Sequence, residues 1–170
     1  MSKCYGFTFI ECITVLLIFT ISSYFVVPFF KNIMISSETY KVQHSIIMYL
    51  QQAKNDARFY HQDITLCASQ DLQFCGLNWN TGLIGFVDQN QNHQREPSEK
   101  LLYTEAWNYQ YGHLDWRGSL FKNSITFQSD TGLPRGSNGS FFYCIVKSDQ
   151  QVRIILSSMG HIRVEKTNSC

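Results

Sequence analysis

The polar part of the chain carries four cysteines, Cys67, Cys75, Cys144 and Cys170, and two more lie near its start, Cys4 and Cys12. Thiols can bridge or hold a metal. The zinc reading is poor, because no Cys-x-x-Cys occurs and the histidines are scattered. An even set of thiols beyond an apolar segment suits an oxidising compartment. Four thiols allow three pairings. The preferred one joins Cys67 to Cys75, stapling a strand to its following loop, and Cys144 to Cys170, closing the C-terminal strands. Cys12 lies in an apolar run and is expected to pack as a small hydrophobe.

A second constellation is Asp88-x-Asn90-x-Asn92 with Glu99 further on. These oxygens match the ligand positions of a calcium loop. His93 stands where the sharp turn of such a loop wants glycine, and the stretch follows a strand pattern rather than a helix. A polar turn whose Asx side chains bond their own backbone fits better. Calcium is the one cofactor the residues suggest, and no other is expected. No Cys-His or Ser-His-Asp arrangement matches a recognisable catalytic motif, so an enzyme is not expected.

The third stretch is Gly160-His161-Ile162-Arg163. A hairpin pairing 152–157 with 161–166 across Ser158-Met159-Gly160 puts Gly160 where positive φ is favoured. In that register Ile162 faces Leu156 and Val164 faces Ile154, giving an apolar face. His161, Arg163 and Glu165 share the other face, with Arg153 opposite Glu165.

These residues need a scaffold, and the hydropathy pattern supplies one. After His61 the apolar period becomes two, with strand candidates at 64–67, 83–87, 100–103, 124–127, 141–146, 152–156 and 162–164. Gly, Asn, Asp and Ser cluster between them. Before His61, Val42, Ile46, Leu50, Ala53 and Ala57 recur at helical spacing, with Lys41, Gln51, Lys54 and Asp56 elsewhere. The expected fold is α+β: a long helix over 7–60 packed on an antiparallel β-sheet head of about 110 residues, enough for one core.

The first half of that helix, 7–30, is apolar except for Glu11. As a helix it reaches roughly 36 Å, enough to cross a bilayer core. No A-x-A-like signal-peptidase site follows it. A buried carboxylate there costs on the order of several kcal/mol unless it finds a partner. A short leader ends in Gly6, then come Phe7-Thr8-x-x-Glu11, the apolar run and Pro28. This pattern resembles a type IV prepilin. The resemblance implies that a prepilin peptidase cuts between Gly6 and Phe7 and that Phe7 is methylated. It gives Glu11 a partner, since the new amine of Phe7 in a neighbouring subunit can meet it and set filament register. Pro28, at a frequent family position, would loosen or kink the helix.

The head resembles the FimT/GspH family of minor pilins and type II secretion pseudopilins. Leu50-x-x-Ala53-x-x-x-Ala57, the run Ile64 to Ser69, Trp79-x-x-Gly82-Leu83-Ile84-x-Phe86-Val87-Asp88, Cys144 and Gly160-His161-Ile162-Arg163 carry that resemblance. It implies a leader at 1–6, a transmembrane or filament-core helix at 7–30, its continuation into the head at 31–60 and a periplasmic head at 61–170. It also implies single-pass insertion in the bacterial inner membrane, and assembly with other pilins or pseudopilins through an inner-membrane platform. The role implied is structural, in a type II secretion pseudopilus or type IV pilus.

In the FimT branch a Gly-Arg-x-Arg motif is implicated in DNA uptake. Here His161 replaces the first arginine and Arg163 matches the second. DNA is therefore an alternative partner, through His161, Arg163, Arg153 and Lys166. The chain carries 14 basic and 13 acidic side chains, so such binding would be weak and salt-sensitive.

Overall fold

The computed structural model describes Gly6, residues 8–146 and residues 151–170, apart from the side chains of Phe25 and Pro28. It divides into two compact units, Met1–Ser37 and Glu38–Cys170. The rest of the helix, from Glu38 onward, belongs with the head.

Helix α1 covers Phe9–Tyr60 and runs unbroken through position 28. Its start is a capping box. The Thr8 amide and hydroxyl each donate to Glu11 Oε2 at 2.8 Å, and the Glu11 amide donates back to Thr8 Oγ1 at 3.4 Å. Its end is marked by His61, whose φ of 52° takes the chain into the left-handed region. Along the apolar run the hydroxyls of Thr14, Thr20 and Ser23 donate to the carbonyls of Glu11, Leu17 and Phe19. Those polar groups are thus satisfied within the helix, as an apolar surrounding requires.

Among the described residues eight strands follow: β1 Ile64–Ala68, β2 Gly82–Val87, β3 Leu101–Ala106, β4 Gly112–Gly118, β5 Ser124–Phe127, β6 Gly139–Ile145, β7 Gln151–Leu156 and β8 Ile162–Thr167. They form two four-stranded antiparallel sheets rather than one, in the orders β3-β2-β1-β5 and β4-β6-β7-β8. β4 is the strand that the hydropathy pattern does not reveal. Its Leu114 and Trp116 are buried while His113, Asp115 and Arg117 alternate with them, and two apolar residues between glycines are too few to stand out.

One core joins both sheets to the helix. Val42, Ile46, Leu50, Ala53 and Ala57 from α1 meet Ile64, Leu66 and Phe127 from the first sheet and Trp116, Phe141, Tyr143 and Ile154 from the second. Ala53 and Ala57 are fully buried, so the helix backbone lies close against the sheets there. The far side of the first sheet has a smaller core of Cys67, Ile84 and Phe86, covered by Leu72, Cys75 and Leu101. That is why β1 and β2 are buried on both faces. At Gly85 a Cβ would stand 2.1 Å from the Tyr103 ring, so only glycine lets that ring cross the strand.

Disulfides join Cys67 to Cys75 and Cys144 to Cys170, with Cα separations of 5.5 Å and 6.0 Å. This is the pairing preferred from the sequence. Cys12 is free and exposed.

Polar bonds also hold α1 to the head. Glu38 accepts from the amides of Gln110 and Tyr111, each at 2.9 Å, and from the Tyr143 hydroxyl. Tyr49 donates to Glu105 at 2.8 Å and Tyr103 donates to Asp56. Each tyrosine hydroxyl is thereby held on a carboxylate. Burial and Glu105 push the Tyr49 phenol up to about 12.

Candidate functional site

The N-terminal helix presents the first site. Among the described side chains from Phe9 to Met34 the large apolar ones are exposed, Phe9 and Phe19 among them. By length and composition this helix could cross a membrane. Glu11 is exposed at its start, held by Thr8. Phe7 lies outside the described residues, as does the side chain of Pro28, so the expected roles of both are carried by sequence alone. Gly6 is described and exposed.

The second site is the C-terminal hairpin. The register is the expected one, pairing Leu156 with Ile162, Ile154 with Val164 and Arg153 with Glu165. Gly160 has φ of 69°. The turn closes through Gly160 N donating to Ser157 O at 2.9 Å and Ser157 N donating to His161 O at 3.0 Å. Val164 remains 38% exposed, so the apolar face of this edge strand is only partly covered.

The structure separates the four basic residues suggested for DNA. Arg153 and Arg163 lie on the face of the second sheet turned away from the core, where Ile155 pairs with Arg163. Lys166 pairs with buried Val152 and so belongs to the opposite face of β8. His161 precedes β8 and lines a cleft beside α1 with Gln51, Lys54, Asn55, Arg58, Gly160 and Ile162.

Two features were not found from sequence. Arg117, on the undetected β4, joins the outer face, because its row runs Arg117, Ser140, Ile155, Arg163 across the sheet. Its guanidinium carbon is 4.3 Å from the Phe142 ring centre, and that of Arg153 is 5.4 Å from it. Carboxylates interleave this face: Asp115 pairs with Arg117 at 3.0 Å, and Glu165 stands opposite Arg153. Lys54 and Arg58 in the cleft were also missed. Their spacing of four on α1 was the available signal, since it places both on one helix face. Trp107 and Tyr109 pack against the main core rather than standing free for base stacking.

The loop after β2 satisfies itself. Asp88 and Glu99 are buried. Asp88 accepts from Thr65 Oγ1 at 2.9 Å and from the amides of His93 and Asn92 at 3.1 and 3.2 Å. Glu99 accepts from the amides of Gln89 and Glu96 at 3.0 and 2.9 Å. Asn90 and Asn92 also accept from amides within the loop, of Asn92 and Gln94. His93 takes the positive φ, 61°, that favours glycine at that position. This is the bonding of a polar turn. Among the described residues no three His, Cys, Asp or Glu side chains group as metal ligands.

A long apolar-to-amphipathic helix whose second half packs on antiparallel sheets defines the class as type IV pilin-like. The family described as type II transport protein GspH matches residues 44–160, and the chain belongs to that family. A type IV minor pilin of Pseudomonas aeruginosa, FimU, shares the fold with a TM-score of 0.59 at 19% identity, over 76% of this chain and 89% of that one. The minor pseudopilin EpsH of the type 2 secretion system of Vibrio cholerae has a TM-score of 0.53 at 14% identity, over 75% of this chain and 96% of that one. No curated protein matches the chain.

Proposed function

We propose that the chain is a minor pilin or pseudopilin. It inserts in the bacterial inner membrane through its apolar helix, is cut after Gly6 and methylated at Phe7, and joins a pilus or pseudopilus with other pilins. Its head then lies in the periplasm, where its disulfides would be kept oxidised. The observation that carries the reading is the uncovered apolar helix of a GspH-family chain with Glu11 at its start. Apolar surface of this extent needs a bilayer or a bundle of like helices around it.

Glu11 has two uses in this reading. Within the chain it closes the capping box on Thr8. In a filament its charge can meet the Phe7 amine of a neighbour. Glu11→Gln separates them, because glutamine keeps the cap and loses the charge. The test measures each variant in sheared filament fractions. Charge pairing predicts that Glu11→Gln and Glu11→Val both fail to enter filaments. Normal incorporation of Glu11→Gln would leave only the cap and remove the register role.

A second reading is DNA capture, favoured by Arg117, Arg153 and Arg163 sharing one face, the first two over Phe142. Titration of labelled duplex at low and physiological salt tests it. Binding that falls with salt and is lost in Arg163→Ala supports capture, and absence of binding at low salt refutes it.

A further inference from the structure

We infer that the cleft between α1 and the β7–β8 turn is a binding site for a phosphate group. Its volume is about 470 Å³, and its lining is Gln51, Lys54, Asn55, Arg58, Gly160, His161 and Ile162. The lining includes two permanent cations, two amides and an imidazole, and no carboxylate. Nearby acids are committed elsewhere, Asp56 to Tyr103 and Asp130 to Arg135. Lys54 uses one donor on the Gly160 carbonyl at 3.1 Å. That leaves two of its three free. The Arg58 guanidinium makes no hydrogen bond or ion pair among the described residues, so its whole planar fork is available. A lysine beside an unpaired arginine fork suits a tetrahedral oxyanion, which takes parallel N–H bonds from the fork and a point charge from the lysine.

Two opposing effects need weighing. Lys54 and Arg58 lie near the C-terminus of α1, where free carbonyls carry roughly half a negative charge. Two full positive charges outweigh that. A solvated basic surface would also need no ligand, but here the lysine head is tied to the turn by its bond to the Gly160 carbonyl. Gly160 is buried, and a Cβ on it would stand 3.0 Å from Lys54 Nζ. The turn backbone and the lysine head thus fix one wall of the cleft. The volume exceeds a bare phosphate ion, so the phosphate can belong to a larger ligand, a free phosphorylated molecule or a phosphodiester chain. The site lies apart from the Arg163 face, and its existence does not depend on the filament or DNA readings.

The experiment uses the full oxidised chain in detergent micelles. Inorganic phosphate and a short oligothymidylate are titrated separately while the Gly160 amide and His161 ring resonances are followed. Arg58→Gln is the main variant, since it removes the guanidinium, which makes no hydrogen bond or ion pair among the described residues, and keeps part of the stem that packs on Gly132. Lys54→Gln is the second, and Arg163→Ala is the control. The expected result is saturable shifts at Gly160 and His161, with affinity reduced roughly tenfold in Arg58→Gln and unchanged in Arg163→Ala. Saturation by inorganic phosphate identifies the free phosphate group as sufficient. Saturation by the oligonucleotide alone, with the same variant pattern, identifies a phosphodiester source. No shift with either ligand overturns the site. So does binding that Arg58→Gln and Lys54→Gln leave unchanged, or binding lost only in Arg163→Ala.

Discussion

At the scale of single residues, Glu38 shows how a side chain the sequence does not single out can organise the head. Burial raises its carboxyl pKa. The bonds from Tyr143 and from the amides of Gln110, Tyr111 and Gly112 outweigh burial and hold it below the usual glutamate value. A depressed carboxyl stabilises the fold above its unfolded pKa, and that stability is lost as pH falls through the folded value. Stability of the wild type should therefore fall as pH drops below the ordinary glutamate range of about 4.3. Glu38→Gln should be less stable at pH 7 and show a shallower loss there, measured by thermal unfolding across pH. Gly85 gives a second prediction. Gly85→Ala should destabilise by about 1–3 kcal/mol, because the Tyr103 ring must move. Unfolding in denaturant measures it.

At the scale of elements, much was legible because the signals are local. Val42, Ile46, Leu50, Ala53 and Ala57 mark the buried stripe of α1 by spacing alone, and all are buried. The β7–β8 register followed from one rule, that a slip would mix Ile162 and Val164 with the charged face. The disulfide pairing was preferred on similar local grounds. What could not be read depended on long-range placement. β4 has two apolar residues, and it becomes a strand because β6 pairs along its whole length. The division into two sheets is likewise a matter of which strands meet. The cleft escaped notice because Lys54 and Arg58 look like an ordinary solvated helix face until the turn at Gly160 is placed beside them.

Two outcomes are expected at this scale. Ala57→Leu should cost about 1–3 kcal/mol, since no space exists between α1 and the sheets. Replacing Cys144 and Cys170 together by alanine frees the C-terminal strand. On loop-closure entropy this should cost about 3.5 kcal/mol, against about 2.5 for the shorter Cys67–Cys75 loop. Paired thermal unfolding of the two double variants checks the order. Cys67 is fully buried and Cys170 exposed, so packing adds to the smaller value. A reversed order would show that packing, not chain entropy, dominates.

At the scale of the whole molecule, the two units divide the work of the proposed role. Glu38–Cys170 has its own core and two disulfides. The apolar helix of Met1–Ser37 has surface that only a membrane or other helices can cover. What the sequence made plain is the apolar run itself, because such a run with a single carboxylate is hard to explain otherwise. The choice between secretion and pilus depends on partner surfaces, which the helix pattern does not encode. The central claim is that the chain matures as a prepilin does. Its most direct test is the intact mass and N-terminal peptide of the protein recovered from bacterial membranes. The account predicts loss of residues 1–6 and a methylated Phe7 at the new terminus. A protein that retains Met1 would contradict it.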